Sequence, residues 1–303
     1  MSVTIKLGIH LGFAINRYPE PSCWARLISE ELGIKQVKFV SDLLQPNYPD
    51  ELLKKEIENV KEACNKYDIS LNHTFTSPRW NFFGNPNAEM RRYWLWWFKK
   101  FALISKKLGA KSTGSLLGIY SVRDYKERND FILNEIIKNW YNFAEYAEEI
   151  GLEYLTWEPM SISRELGEGI EQTRLLMEML NNRKSPPAVP ILLCLDVDHG
   201  DRGSNNPDDT NPYEWIRLFG KQSPTVDLKQ VTKNLFGHKP FTPEYNKVGL
   251  INPEELIKAF EESGAAETTL FLELSFRERY PYDNNVVSDL KSSVDYWRSY
   301  VSI

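Results

Sequence analysis

The sequence predicts an α/β fold, a (β/α)8 TIM barrel formed as one domain over residues 1–303. Short strand-like runs recur every ~30–45 residues between longer amphipathic stretches, the βα period of parallel α/β folds. Eight such runs fill the 303 residues, close to the size at which eight repeats close into a barrel. The rival, a doubly wound open sheet, normally carries a glycine-rich phosphate turn after an early strand. Here the first strand runs into "GFAINRYPEPS", and neither a G-x-G-x-x-G nor a P-loop motif occurs in the chain.

In chain order, the first strand is read at 5–13 (IKLGIHLGF) and the second at 36–41 (QVKFVS). The helical pattern "PDELLKKEIENVKEACNKY" leads to a third strand at 69–75. In the next helix, "MRRYWLWWFKKFALISKKLG" (90–109), Trp94, Trp97, Phe98 and Phe101 follow i, i+3, i+4, i+7. That spacing makes one buried face, so core packing outweighs a membrane or RNA-binding role. Trp96 is left over from that face and offers a contact for a homo-oligomer. A fourth strand at 110–115 precedes the long pattern "ERNDFILNEIIKNWYNFAEYAEEIG", which stops on Gly151 as helices commonly do. The remaining strands are read at 152–158, 190–197, 224–229 and 269–275, with 203–212 a Pro/Asn/Asp loop inside the domain.

Composition narrows the function. Charged residues are 26% and hydrophobic residues 42%, as in ordinary globular proteins. A net charge of −5 argues against nucleic-acid or membrane-surface partners. No apolar run approaches the ~20 residues that span a bilayer. The N-terminus lacks a signal-peptide layout. Cys23, Cys64 and Cys194 are odd in number and far apart, which suggests neither a disulfide framework nor a thiolate metal site. A cytoplasmic location is expected.

The chemistry lies at the strand ends. Glu158 ends the fifth strand, Asp196 the sixth and Glu273 the eighth, and Asp227 lies in the seventh. In a barrel these residues converge on the C-terminal face, where the active site sits. A buried charge needs a partner or must neutralise. A divalent cation is one such partner, and an all-oxygen shell suits Mn²⁺, Mg²⁺ or Co²⁺ better than structural zinc. Asp198 and Asp201 are read as capping residues or as partners of Arg202. His10, His73, Lys38 and Lys229 lie on strands near the same rim and are candidate substrate contacts, an inward lysine needing an acid or anion beside it. His238, in a loop after the seventh strand, is a weaker candidate.

The stretches "WEPMSISRELGEGIEQT", "CLDVDHGD", "GHKPFTPEYNKVGLI" and "ELSFRERYPYDNNVVSDLKSSVDYWR" resemble the xylose-isomerase-like sugar phosphate isomerase and epimerase family over essentially the whole chain. They look most like its branch acting on tetrulose phosphates. The resemblance implies a small sugar or sugar-phosphate substrate and an isomerase of carbohydrate metabolism. It matches Glu158, Asp196 and Glu273 to three metal ligands, with the two glutamates doubling as catalytic acid and base, and His199 to a substrate contact. The family's fourth ligand is usually a histidine in strand seven. Asp227 stands there instead, leaving Asp227 or Gln230 as the fourth ligand and the ion as Mn²⁺ first, with Mg²⁺, Co²⁺ or Zn²⁺ as alternatives. Arg277 and Arg279, beyond the strand-eight glutamate, are the expected phosphate grip, because guanidinium matches phosphate oxygens in two-point geometry.

Epimerising carbon 3 of a ketose removes a proton beside a carbonyl and returns it from the other face, work that suits two carboxylates flanking the substrate. The runner-up is an aldose–ketose isomerase on the same ligands. An endonuclease branch shares the barrel but is richer in histidine than a chain with four, at −5 net charge. A non-catalytic sugar-binding barrel fits poorly with acids at four strand ends.

Overall fold

A computed structural model describes residues 3–76, 78–182, 186–232, 235–276 and 284–303. Eight parallel strands close into a barrel: β1 (Thr4–His10), β2 (Gln36–Val40), β3 (Ser70–Thr76), β4 (Ser112–Leu116), β5 (Tyr154–Glu158), β6 (Ile191–Asp196), β7 (Thr225–Leu228) and β10 (Glu267–Leu272). Each pairs with the strand before and after it, and β1 closes on β10 with Leu7 beside Leu270. The barrel expected from the period is therefore the observed architecture. Between β7 and β10 lies an antiparallel hairpin, β8 (Gln230–Thr232) and β9 (Leu235–Lys239). A loop is expected there from the sequence, because the segment is short and lacks a two-residue turn signal.

Strand ends differ by a few residues for local reasons. The first strand stops at His10, whose Nδ1 accepts the Gly12 N–H and starts a 3₁₀ turn at 11–14. The seventh stops at Leu228, where the chain turns into the hairpin. The aromatic helix runs Ala88–Lys107 and buries Trp94, Trp97, Phe98 and Phe101 against Phe82, Phe83 and Phe143, while Trp96 is 47% exposed. The helix before β5 spans Asn129–Glu149, and Gly151, at φ 79°, supplies the left-handed turn that ends it.

Alternate strand residues face outward to the helices: Ile9, Val37, Phe39, Leu155, Trp157, Leu193, Val226 and Leu270 are almost wholly buried there. The inward set is polar. The Lys38 ammonium reaches across the barrel to Asp227 and to Cys194 Sγ at 3.3 Å. The rings of Phe75 and Phe271 flank that ammonium at 5.1 and 5.4 Å from their centroids. Glycines make room for these rings. A Cβ on Gly8 would lie 2.6 Å from the Phe271 ring, and one on Gly114 would lie 2.9 Å from Phe75 and 2.7 Å from the Thr156 carbonyl oxygen.

Gly114→Ala should therefore overpack the barrel, lowering stability by about 1–3 kcal/mol in urea unfolding. An unchanged midpoint would show that the interior yields where it is described as tight.

Candidate active site

The residues inside the barrel fall into three levels. At the floor, His73 Nδ1 is 2.9 Å from Ser112 Oγ and 3.2 Å from Tyr154 OH, groups that open β4 and β5. Burial, with Lys38 next, holds the His73 pKa down at about 3, so the ring is neutral. The middle level is the Lys38–Asp227 pair. Both side chains are at most 2% exposed, and the carboxylate, with Cys194 after it, outweighs the burial that would discharge Lys38.

The rim holds the acids. Glu158 and Asp196 end β5 and β6, and Glu273 follows β10, its N–H donating to the Leu228 carbonyl at 2.9 Å. His199 stands between two of them, with Nδ1 3.3 Å from Glu158 Oε1 and Nε2 3.2 Å from Asp196 Oδ2. Its Nδ1 also donates to the Pro159 carbonyl at 2.8 Å, which fixes the ring. Lys229 Nζ lies 2.5 Å from Asp196 Oδ2 and against Glu273 Oε2. The result is a row of alternating groups: Glu158, His199, Asp196, Lys229, Glu273. Two more histidines flank its end, His238 Nδ1 at 3.4 Å from Glu273 Oε2 and His10 Nε2 at 4.0 Å from Oε1.

The two glutamates are driven apart in proton affinity. Burial pushes Glu158 up to about 8, against His199 and with the help of Asp196, Asp227 and Glu273. Burial also opposes ionisation of Glu273, but Lys229, His238 and His10 outweigh it and hold that carboxyl well below the usual range. Near neutral pH, Glu158 carries a proton and Glu273 is a carboxylate. Burial disfavours the charged form of His199 as well, yet Asp196 and Glu158 raise its pKa overall.

A cavity of about 430 Å³ opens beside His199, lined also by Asp198, Arg202, Asn211 and Tyr213, a volume within the range of small-ligand sites. Gly200 gives the loop its course: at φ 116°, it passes so close to the Asp209 carbonyl that any side chain would collide.

D-erythrulose 1-phosphate 3-epimerase of Brucella abortus (strain 2308) is 34% identical over 99% of this chain and 97% of its own. The chain belongs to the xylose-isomerase-like family of sugar isomerases and epimerases. It is an enzyme of that class. No family model matches the sequence. Among solved structures, a Rhodospirillum rubrum ATCC 11170 protein provisionally assigned as a xylose isomerase superposes with a TM-score of 0.87 at 23% identity, covering 99% of this chain and 100% of its own. D-psicose 3-epimerase of Clostridium cellulolyticum H10 superposes at 0.71 and 14% identity, covering 98% and 100%. At those identities, the likeness speaks for the fold.

Within this family member, Glu158, Asp196, Lys229, Glu273 and His10 meet at the rim from their places at or near strand ends. His199 reaches them from the turn after β6, and His238 joins them through the hairpin. Other expected residues lie elsewhere. His73 is on the barrel floor, because its ring is drawn to Ser112 and Tyr154 rather than to the rim. Gln230 is engaged in the hairpin: its Oε1 accepts from Val231 and Ile251 N–H, and its Nε2 donates to Asn246 Oδ1 and the Ile251 carbonyl. A fully used amide has nothing left for a metal. Arg277 and Arg279 lie outside the described residues. Asp198 pairs with Arg202 at 2.7 Å, and Asp201 accepts the Gly203 N–H, as expected.

Among the described residues, two groups bring possible metal ligands within 4.8 Å of one another: Glu158, Asp196 and His199; and His10, Asp227 and Glu273. The four-carboxylate shell expected from the sequence does not fit an ion as these side chains stand. Lys229 lies between Asp196 and Glu273, and Lys38 takes Asp227. His10 accepts a backbone N–H at Nδ1, so its neutral ring carries the proton on Nε2, the nitrogen that a metal would need. Asp227 is thus first of all the partner of Lys38.

Lys38→Met should cost about 3–5 kcal/mol in urea unfolding, because it leaves Asp227 buried without its counter-ion. The double variant Lys38→Met/Asp227→Leu should recover most of that loss. Additive losses from the two substitutions would show that the pair is not the unit described.

Proposed function

We propose that the protein is a ketose-phosphate 3-epimerase acting on a tetrulose 1-phosphate of the erythrulose type, passing through an enediolate. The observation that carries this reading is the placement of Glu158 and Glu273 at the two ends of one rim. His199 lies against the first and Lys229 with His238 against the second, surroundings that raise the pKa of Glu158 and lower that of Glu273. In one direction, the Glu273 carboxylate removes the carbon-3 proton, made acidic by the neighbouring carbonyl. Protonated Glu158 then delivers a proton to the opposite face. Environments that push two carboxyl groups apart in pKa assign one as base and the other as acid. His199 holds Glu158 in place, and Lys229 with His238 keeps Glu273 ionised. The phosphate is supported by the name of the Brucella relative and by the sequence resemblance, with Arg277 as its expected grip.

A second reading keeps the divalent ion, Mn²⁺ by its preference for oxygen donors. What favours it is the convergence of Glu158, Asp196 and His199, with the His199 ring held by its Nδ1–H on the Pro159 carbonyl, as carbonyl oxygens orient histidines that bind metals.

In D₂O, turnover should place deuterium at carbon 3 of the product, and Glu158→Gln and Glu273→Gln should each slow epimerisation by about 10²–10⁴-fold. Label at carbon 1 or 2 with none at carbon 3 would move the assignment to an aldose–ketose isomerase. Unphosphorylated erythrulose is the control, since an equal kcat/KM would remove phosphate from the reading.

The pH profile tests the assignment of acid and base. Glu158 is protonated below about pH 8 and loses its proton above it, so kcat/KM in the direction that uses it as donor should fall as pH rises through about 8. Glu273, held well below the usual carboxylate range, should impose no loss until the solution is strongly acidic. An alkaline limb that stays in place in Glu158→Gln would remove Glu158 from that role.

A further inference from the structure

We infer that Lys229 is the resident cation of this site, standing where a divalent metal would otherwise sit and keeping one out. The inference extends the epimerase reading by naming the cation that serves its rim. Its basis is position. Lys229 Nζ is 2.5 Å from Asp196 Oδ2 and in direct contact with Glu273 Oε2, so it lies on the path between two carboxylates expected to share an ion. Its side chain is wholly buried, and its backbone is held between the end of β7 and the start of β8, which leaves the ammonium little freedom to swing aside.

The charge count around it follows the same logic. Asp227 lies in β7 and Lys229 follows the end of that strand, and both side chains point into the barrel, Asp227 to Lys38 and Lys229 to Asp196 and Glu273. Asp227 is matched by Lys38, and Asp196 and Glu273 are matched by Lys229. Three of the four acids expected to need a metal therefore already have an ammonium partner, and His199 touches the fourth at 3.3 Å. A divalent ion entering beside Lys229 would meet a like charge a few ångström away in a site shielded from water, where such repulsion is large. Lys229 is a positioning residue here: it acts through Asp196 and Glu273.

The test uses the full chain after chelator treatment, with elemental analysis and thermal melting with and without MnCl₂, in wild type and in Lys229→Met. Wild type should contain far less than one ion per chain, keep its melting temperature when Mn²⁺ is added, and keep its turnover in chelator. Lys229→Met should melt lower, bind one Mn²⁺ per chain more than about 100-fold more tightly than wild type, and regain stability on loading. Adding Asp196→Asn to Lys229→Met should abolish that gain. Stoichiometric Mn²⁺ in wild type, a chelator-sensitive wild type, or no gain of affinity in Lys229→Met would each overturn the inference. Should Lys229→Met fail to fold, the wild-type measurements decide alone. The metal-binding measurements need no substrate, so a failed epimerase reading would show in the deuterium experiment and leave them standing.

Discussion

The ion pairs of Lys229 with Asp196 and Glu273 are the contact around which the rim is arranged. Several acids enter a narrow, largely dehydrated mouth because the barrel brings strand ends together. Ionised together and unmatched, they would repel one another and lose their hydration. The protein answers with alternation: Lys38 opposite Asp227, Lys229 between Asp196 and Glu273, His199 between Asp196 and Glu158. Among the described residues, Glu158 is the one of these four acids with no lysine beside it, and its pKa rises. The asymmetry between the two glutamates thus follows from where the lysines stand.

That placement depends in turn on how the barrel is filled. Lys38 can lie at the centre because Phe75 and Phe271 offer it ring faces, and those rings fit because Gly8 and Gly114 carry no side chain. A cation over an aromatic face gains some attraction in return for lost hydration. The middle level also separates two electrostatic regimes. Below it, His73 is neutral among hydroxyl groups; above it, His199 is raised by the acids it touches. The same residue type serves as packing in one level and as part of the reactive row in the other.

Much of this was legible in the sequence, and the exceptions have physical causes. The period of apolar runs gives the barrel and its strands within a few residues, since every strand must bury an outer face against helices. The acids at strand ends and the i, i+2 relation of Asp227 and Lys229 are equally plain. Depth is not. From the sequence both His73 and His10 are expected near the rim, but His10 ends β1 and lies near Glu273, whereas His73 sits in the middle of β3 and bonds to Ser112 and Tyr154 at the floor. Which lysine meets which acid is settled across the barrel, between residues as far apart in sequence as 38 and 227. Gln230 next to a strand end looks like a ligand until the hairpin takes all of its hydrogen-bonding capacity. Folding of the hairpin also delivers His238 to Glu273, a contact with no local sequence signal.

The arrangement links stability and chemistry through one set of charges. A carboxylate that is to act as a base must be ionised before the substrate arrives, and in a dehydrated pocket that requires a fixed cation nearby. Lys229 meets this need for Glu273 while relieving Asp196, so the ion pair that secures the rim also prepares the base. Glu158, which meets His199 but no lysine among the described residues, is left protonated by the same burial. One barrel mouth therefore holds two carboxyl groups in opposite states with no difference in their chemistry, only in which neighbours the strands bring to them.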